Sequence, residues 1–176
     1  TGRYNLENAL KKFNLDHIMF TPNQDLVKRM SRYSLETIGD SCWHCHAGVG
    51  AFPLQIAVKF NIPLIIWGES VAETSGRATH LDPIKFDKDL LMRVSVKAGT
   101  DGMLCDYISK KDMFPYEFPA AEELERVGVE GIYLGNYLFW DEERQVEFVV
   151  AEYGWKEDSV EGAYKRYKSV ECKMAG

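Results

Sequence analysis

Apolar positions along this chain recur mostly at helical spacing. Over residues 4–13, Leu6, Ala9, Leu10 and Phe13 share one face, with Asn5 as the expected N-cap and Asn14 as the stop. Residues 15–20 read as a short strand that ends in the turn Thr21-Pro22-Asn23. Helical spacing returns over 25–37, where Leu26, Met30 and Tyr33 lie opposite Lys28, Arg29 and Arg32. Gly39-Asp40-Ser41 breaks that helix. The next runs to Phe60 and points Phe52, Ile56, Ala57 and Phe60 inward, with Pro53 expected in its first turn or at a kink.

Residues 63–67, Pro-Leu-Ile-Ile-Trp, form the clearest strand, apolar throughout as in a parallel sheet covered on both faces. A loop over 70–83, a helix over 86–94 and an irregular, aromatic-rich stretch over 98–119 follow. Then come a short helix at 120–127, a strand at 131–135, a helix at 141–153 that opens on Asp141-Glu142-Glu143, and a polar helix at 162–172. This order predicts one α/β domain over residues 1–176, built on a parallel sheet. Ligands of such sheets bind beyond the carboxyl ends of the strands, which directs attention to Asn23 and to Gly68-Glu69.

Composition narrows the class. With 176 residues, 45% hydrophobic, the chain can bury a core without disulfides. A net charge of -6 argues against general nucleic-acid binding while leaving room for a local basic patch. No apolar run is long enough for a bilayer, so a cytoplasmic protein without membrane insertion is expected.

The most specific local chemistry is Cys42-Trp43-His44-Cys45-His46. A Cys-x-x-Cys pair supplies two thiolates to a metal, forms a redox disulfide, or packs as small apolar groups. The adjacent His44 and His46 favour the metal, whose remaining ligands would come from these histidines, Cys105 or Cys172. Cys105 by itself reads as a core residue. Gly48-Val49-Gly50 reads as a flexible connection or as a set of amides for a phosphate at a helix start. Glu69 and Glu73, just beyond the best strand, suit Mg²⁺, a sugar hydroxyl or proton transfer; Gly68 separates the strand from Glu69, and Ser70 follows it. Arg77 and His80, in the following loop, are the nearest cationic candidates for a phosphate or a sugar acid.

Together these segments resemble the N-acetyl sugar amidotransferase family, which are PP-loop ATP-pyrophosphatases of bacterial surface-polysaccharide synthesis. The resemblance runs through Cys42-Trp43-His44-Cys45-His46-Ala47-Gly48 and Ile62-Pro63-Leu64-Ile65-Ile66-Trp67-Gly68-Glu69-Ser70-x-x-Glu73. It continues through Tyr133-Leu134-Gly135-Asn136-Tyr137-x-x-Trp140-Asp141, Tyr153-Gly154-Trp155 and Glu171-Cys172-Lys173-Met174. It implies an adenine nucleotide alpha-hydrolase-like, three-layer fold.

The implied reaction converts the acetamido group of a nucleotide-linked sugar to an acetamidino group in lipopolysaccharide O-antigen synthesis. ATP and Mg²⁺ are the implied cofactors, and a glutaminase subunit supplies the ammonia. Glu69 and Glu73 are the implied catalytic pair. Gly68, Ser70, Asn23 and Arg77 are the implied nucleotide and substrate contacts. A likeness to the tRNA thiolation branch of the same superfamily implies that Cys42, Cys45 and Cys172 hold an iron–sulfur cluster or Zn²⁺.

The family's Ser-Gly-Gly-x-Asp-Ser loop does not occur in the sequence. The chain is therefore expected to be the central part of a longer enzyme and inactive with ATP by itself. A tRNA sulfur transferase and a non-catalytic zinc-binding interaction module are the competing expectations. The acidic charge counts against the first, and the missing loop favours the second if the chain is complete.

Overall fold

Helix boundaries in the computed structural model, which describes residues 1–68, 96–138 and 141–157, follow local capping chemistry. The contacts divide the chain into two compact units, Thr1–Thr21 with Trp140–Gly176, and Pro22–Phe139. The predicted helices over 86–94 and 162–172 lie outside the described residues.

In the first unit, α1 (Gly2–Phe13) ends at Asn14, whose left-handed backbone (φ 49°) returns its N–H to Leu10 O. Lys11 and Lys12 in the last turn complement the helix dipole. Asn5 is not the N-cap; Thr1 holds that position. Asn5 is instead buried, and its carboxamide makes a two-way bridge to Lys156, donating to its carbonyl and accepting from its N–H at 2.9 Å each. Asn8 donates to the Tyr153 carbonyl. The partner helix α5 (Glu142–Tyr153) starts at Asp141, whose carboxylate accepts from Arg144 N at 3.1 Å, and stops at Gly154 (φ 68°). Phe13 and Phe148 pack on the Tyr153 ring, at 4.9 and 5.7 Å between centroids.

The strand expected over residues 15–20 does not form. These residues make no sheet pairing among the described residues, and Leu15, Ile18, Met19 and Phe20 are exposed. A short apolar run becomes a strand only where another strand can satisfy its backbone.

In the second unit, α2 (Gln24–Ile38) begins at Asn23 and ends at Gly39 (φ 71°), burying Leu26, Met30 and Ser34. After a tight link, α3 (Trp43–Phe60) buries Trp43, Ala47, Gly50, Ala51, Leu54 and Ala57. Of the four residues expected to face inward, Ala57 is buried, but Phe60 is 59% exposed and Phe52 and Ile56 are only half-buried, so the inward face is displaced. Pro53 sits in the helix interior rather than its first turn, so the hydrogen bond from residue 53 to the Val49 carbonyl is missing.

Leu26, Met30, Trp43 and Ala47 pack with Val96, Met103, Ile108, Met113 and Tyr116 into one core. The irregular stretch supplies Met103, Met113 and Tyr116 from two 3₁₀ turns, Thr100–Met103 and Lys110–Tyr116, and Ile108 from the link between them; Val96 lies just before it. Trp43 Nε1 donates to Ala98 O at 2.8 Å. Gln55 Nε2 donates to the carbonyls of Phe114 and Glu117, at 2.7 and 2.6 Å, which ties the 3₁₀ segment to α3.

Strand β1 (Leu64–Trp67) pairs in parallel with β2 (Glu130–Tyr133), with Leu64 opposite Glu130 and Trp67 opposite Tyr133. The short helix α4 (Ala121–Val127), closed by Gly128 (φ 69°), leads into β2. The described fold is therefore mixed and helix-rich, with a small parallel sheet. Leu64 and Ile66 are 48% and 56% exposed, so among the described residues β1 is not covered on both faces as its composition suggests. No helix among the described residues is long and apolar enough to cross a membrane.

Candidate functional site

The Cys-x-x-Cys segment folds into the start of α3. Cys42 is the N-cap residue, and its carbonyl accepts from Cys45 N at 2.8 Å and His46 N at 3.1 Å. The two thiols lie three positions apart at the helix start, where such residues are neighbours. Cys42 is half-buried and Cys45 exposed.

A residue missed from the sequence organises this turn. Asp40 is buried, and its Oδ1 accepts from Cys42 N at 2.7 Å while its Oδ2 lies 3.1 Å from His46 Nδ1. Burial raises the Asp40 pKa. The Cys42 N–H and the charge and hydrogen bond of His46 outweigh it, so the carboxyl is held below its ordinary range. An ionised carboxylate only accepts, so His46 carries its proton on Nδ1 and, when neutral, presents a lone pair at Nε2. That atom suits a metal or a transferring proton. The available signal was Asp-x-Cys, in which an Asp side chain caps the amide two residues on.

His44 points elsewhere. Its Nδ1 lies 3.4 Å from Ser31 Oγ on α2, because residues 44 and 46 project about 200° apart on a helix. Burial lowers the His44 pKa, the charge of His46 adds to this, and Asp40 opposes it. His44 is thus held neutral, apart from the other imidazole.

Two thiols one helical turn apart fit two corners of a tetrahedral thiolate site. Among the described residues, no three His, Cys, Asp or Glu side chains converge on a metal position. The implied third ligand, Cys172, lies outside the described residues, as do Glu69, Ser70, Glu73, Arg77, His80 and Trp140. Cys105 packs half-buried against the core.

Gly48-Val49-Gly50 is neither a flexible link nor a helix start: it lies within α3, where Gly48 packs on the Tyr116 ring. Burial raises the Tyr116 pKa, with Cys45 adding to it, and its buried hydroxyl has no hydrogen-bond partner among the described residues. Asn23 caps α2: its Oδ1 accepts from Asp25 N at 2.9 Å and Leu26 N at 3.0 Å.

The strand ends form a second locus. Parallel pairing sets Trp67-Gly68 beside Tyr133 and the 3₁₀ turn Leu134–Asn136, in which Asn136 is buried. Among the described residues, nothing lies within 4 Å of the position a Cβ would take on Gly68. The structure therefore brings Gly68 to the turn that bears Asn136, and it gathers Cys42, Cys45, Asp40 and His46 at the start of α3. No protein-family model matches the chain, and no curated protein matches it significantly in sequence.

Proposed function

We propose that this chain forms part of an ATP-dependent N-acetyl sugar amidotransferase. The reaction converts the acetamido group of a nucleotide-linked sugar to an acetamidino group, with ammonia from a glutaminase partner, during lipopolysaccharide O-antigen synthesis. The observation that supports this function is the in-register pairing of β1 with β2. Two segments that carry the family resemblance, one containing Gly68 and the other Asn136, are far apart in sequence. The pairing makes them neighbours at the carboxyl ends of parallel strands, where α/β sheets hold ligands.

Gly68 leaves room for a ligand to approach the backbone, and the turn bearing Asn136 borders the same end of the sheet. Glu69 and Glu73, which follow Gly68 in sequence, are proposed to act beside the nucleotide and the acetamido group. ATP, when bound, supplies the activation that turns the amide oxygen into a leaving group, and holding both reactants lowers the entropic cost. Cys42 and Cys45 are proposed to hold Zn²⁺ or an iron–sulfur cluster together with Cys172.

Deletion of the encoding gene tests the function. The cell's surface polysaccharide should lose its acetamidino sugar and carry the acetamido form. The intact gene should restore it, and one encoding Glu69→Gln should not. An unchanged polysaccharide with loss of thiolated tRNA would instead identify a tRNA sulfur transferase.

A further inference from the structure

While α2 buries Leu26, Met30 and Ser34, its exposed residues Lys28, Arg29 and Arg32 line an open concavity of about 430 Å³ together with Tyr107. Cations at this helical spacing repel one another, and the chain as a whole is acidic. Three carboxylates are relevant. Asp25 pairs with Lys28 at 3.3 Å. Asp112 lies within the field of Arg29, but its Oδ2 accepts from Ser109 N and Oγ at 2.9 and 2.7 Å. Glu36 follows Arg32 by one helical turn and faces the field of the Tyr107 hydroxyl. Arg29 and Arg32 make no ion pair among the described residues.

Tyr107 stands at this rim. It occupies the two-residue turn between Cys105 and Ile108, whose backbones exchange hydrogen bonds of 3.2 and 3.1 Å. Its ring stands edge-on to Tyr33, 6.2 Å between centroids, and remains 44% exposed.

Arginines at i and i+3 place two planar forks side by side, and each fork matches the oxygens of one phosphoryl group. Two adjoining phosphoryl groups match both. An exposed aromatic ring beside them suits a flat base. We propose that Lys28, Arg29, Arg32 and Tyr107 form a binding site for a nucleoside diphosphate group, with the arginines on the phosphoryl oxygens and Tyr107 on the base. Its assignment to the nucleotide-linked sugar rests on the function proposed above; the anion site itself rests only on this geometry.

Calorimetric titration of the full chain with inorganic pyrophosphate, nucleoside diphosphates, ATP and nucleotide-linked N-acetyl sugars tests the site. Arg29→Gln with Arg32→Gln should weaken diphosphate binding at least about tenfold, as expected for lost charge-assisted bonds. The Lys replacements, which keep charge but not the forks, should fall between that variant and the parent. Tyr107→Ala should weaken the nucleotides but not pyrophosphate, and Lys59→Gln on α3 should change nothing.

Equal binding by the parent and the double Gln variant overturns the site. So does absent pyrophosphate binding at about 1 mM, or tighter binding of duplex RNA through the same arginines. Preference for ATP over the sugar nucleotide supports the site and overturns its assignment to the sugar. Intact diphosphate binding alongside an unchanged polysaccharide in the deletion strain overturns the proposed function alone.

Discussion

Asp40 holds His46 by its Nδ1, 3.1 Å from Oδ2, and with its other oxygen caps the Cys42 amide at 2.7 Å. One buried carboxylate therefore fixes both the start of α3 and the orientation of an imidazole beside two thiols. Asp40→Ala removes the cap and leaves the Cys42 N–H without its acceptor. The expected loss is about 1–2 kcal/mol, in the range of other lost caps, read from urea unfolding. Nitrogen NMR of His46 should also show the Nδ1–H tautomer lose its dominance. Retention of both stability and tautomer would mean that the contact does not organise the turn.

The same cluster gives stability a defined pH dependence. The His44 pKa is lowered from 6.5, chiefly by burial, so below that pH the unfolded chain takes up the proton that the folded chain resists. Stability should fall as pH drops from 6.5 towards the lower folded value. The Asp40 pKa is lowered from 3.8 despite its burial, so its contribution is complete above 3.8 and is lost as pH falls through its folded value. Unfolding curves should show these two windows, and His44→Gln should flatten only the upper one.

The elements legible in the sequence are those whose cause is local. Asn14, Asn23, Gly39 and Asp141 bound helices through their own side chains or backbone conformation, and Leu26 and Met30 repeat at helical spacing. The 15–20 run carries the same local apolar signal as a strand, but it makes no pairing among the described residues. On α3, small residues make up most of the buried face: Ala47, Gly50, Ala51 and Ala57 lie there with Trp43 and Leu54, while the large Phe60 stays exposed. A periodicity read from Phe52, Ile56 and Phe60 alone therefore points away from the face that Trp43, Ala47, Leu54 and Ala57 bury. Cys42 and Cys45 stand out by spacing alone. The contact between Asp40 and His46 requires the helix to start between them, which spacing does not show.

Gly48 tests what the glycines of α3 are for. A Cβ there would lie 3.4 and 3.5 Å from Tyr116 Cε1 and Cδ1, which is ordinary contact. Glycine costs a helix interior about 1 kcal/mol relative to alanine. Gly48→Ala should therefore be neutral or stabilise by up to about 1 kcal/mol, whereas Gly48→Leu should destabilise by about 1–3 kcal/mol through overpacking against Tyr116. Thermal unfolding of both variants checks this. A large loss on Gly48→Ala would show that the packing against Tyr116 has no room to give.

Asn23 separates capping from ligand contact. Its Oδ1 accepts from Asp25 N and Leu26 N, so a serine, whose hydroxyl can take the same bonds, should preserve α2. Asn23→Ala is expected to cost about 0.5–2 kcal/mol and Asn23→Ser only a small part of that. A substrate contact would respond differently, because the shorter hydroxyl cannot reproduce the carboxamide's donor. Unfolding free energy and nucleotide binding should therefore be measured on both variants. If serine restores stability and binding together, Asn23 acts through α2; if it restores stability alone, the carboxamide touches the ligand.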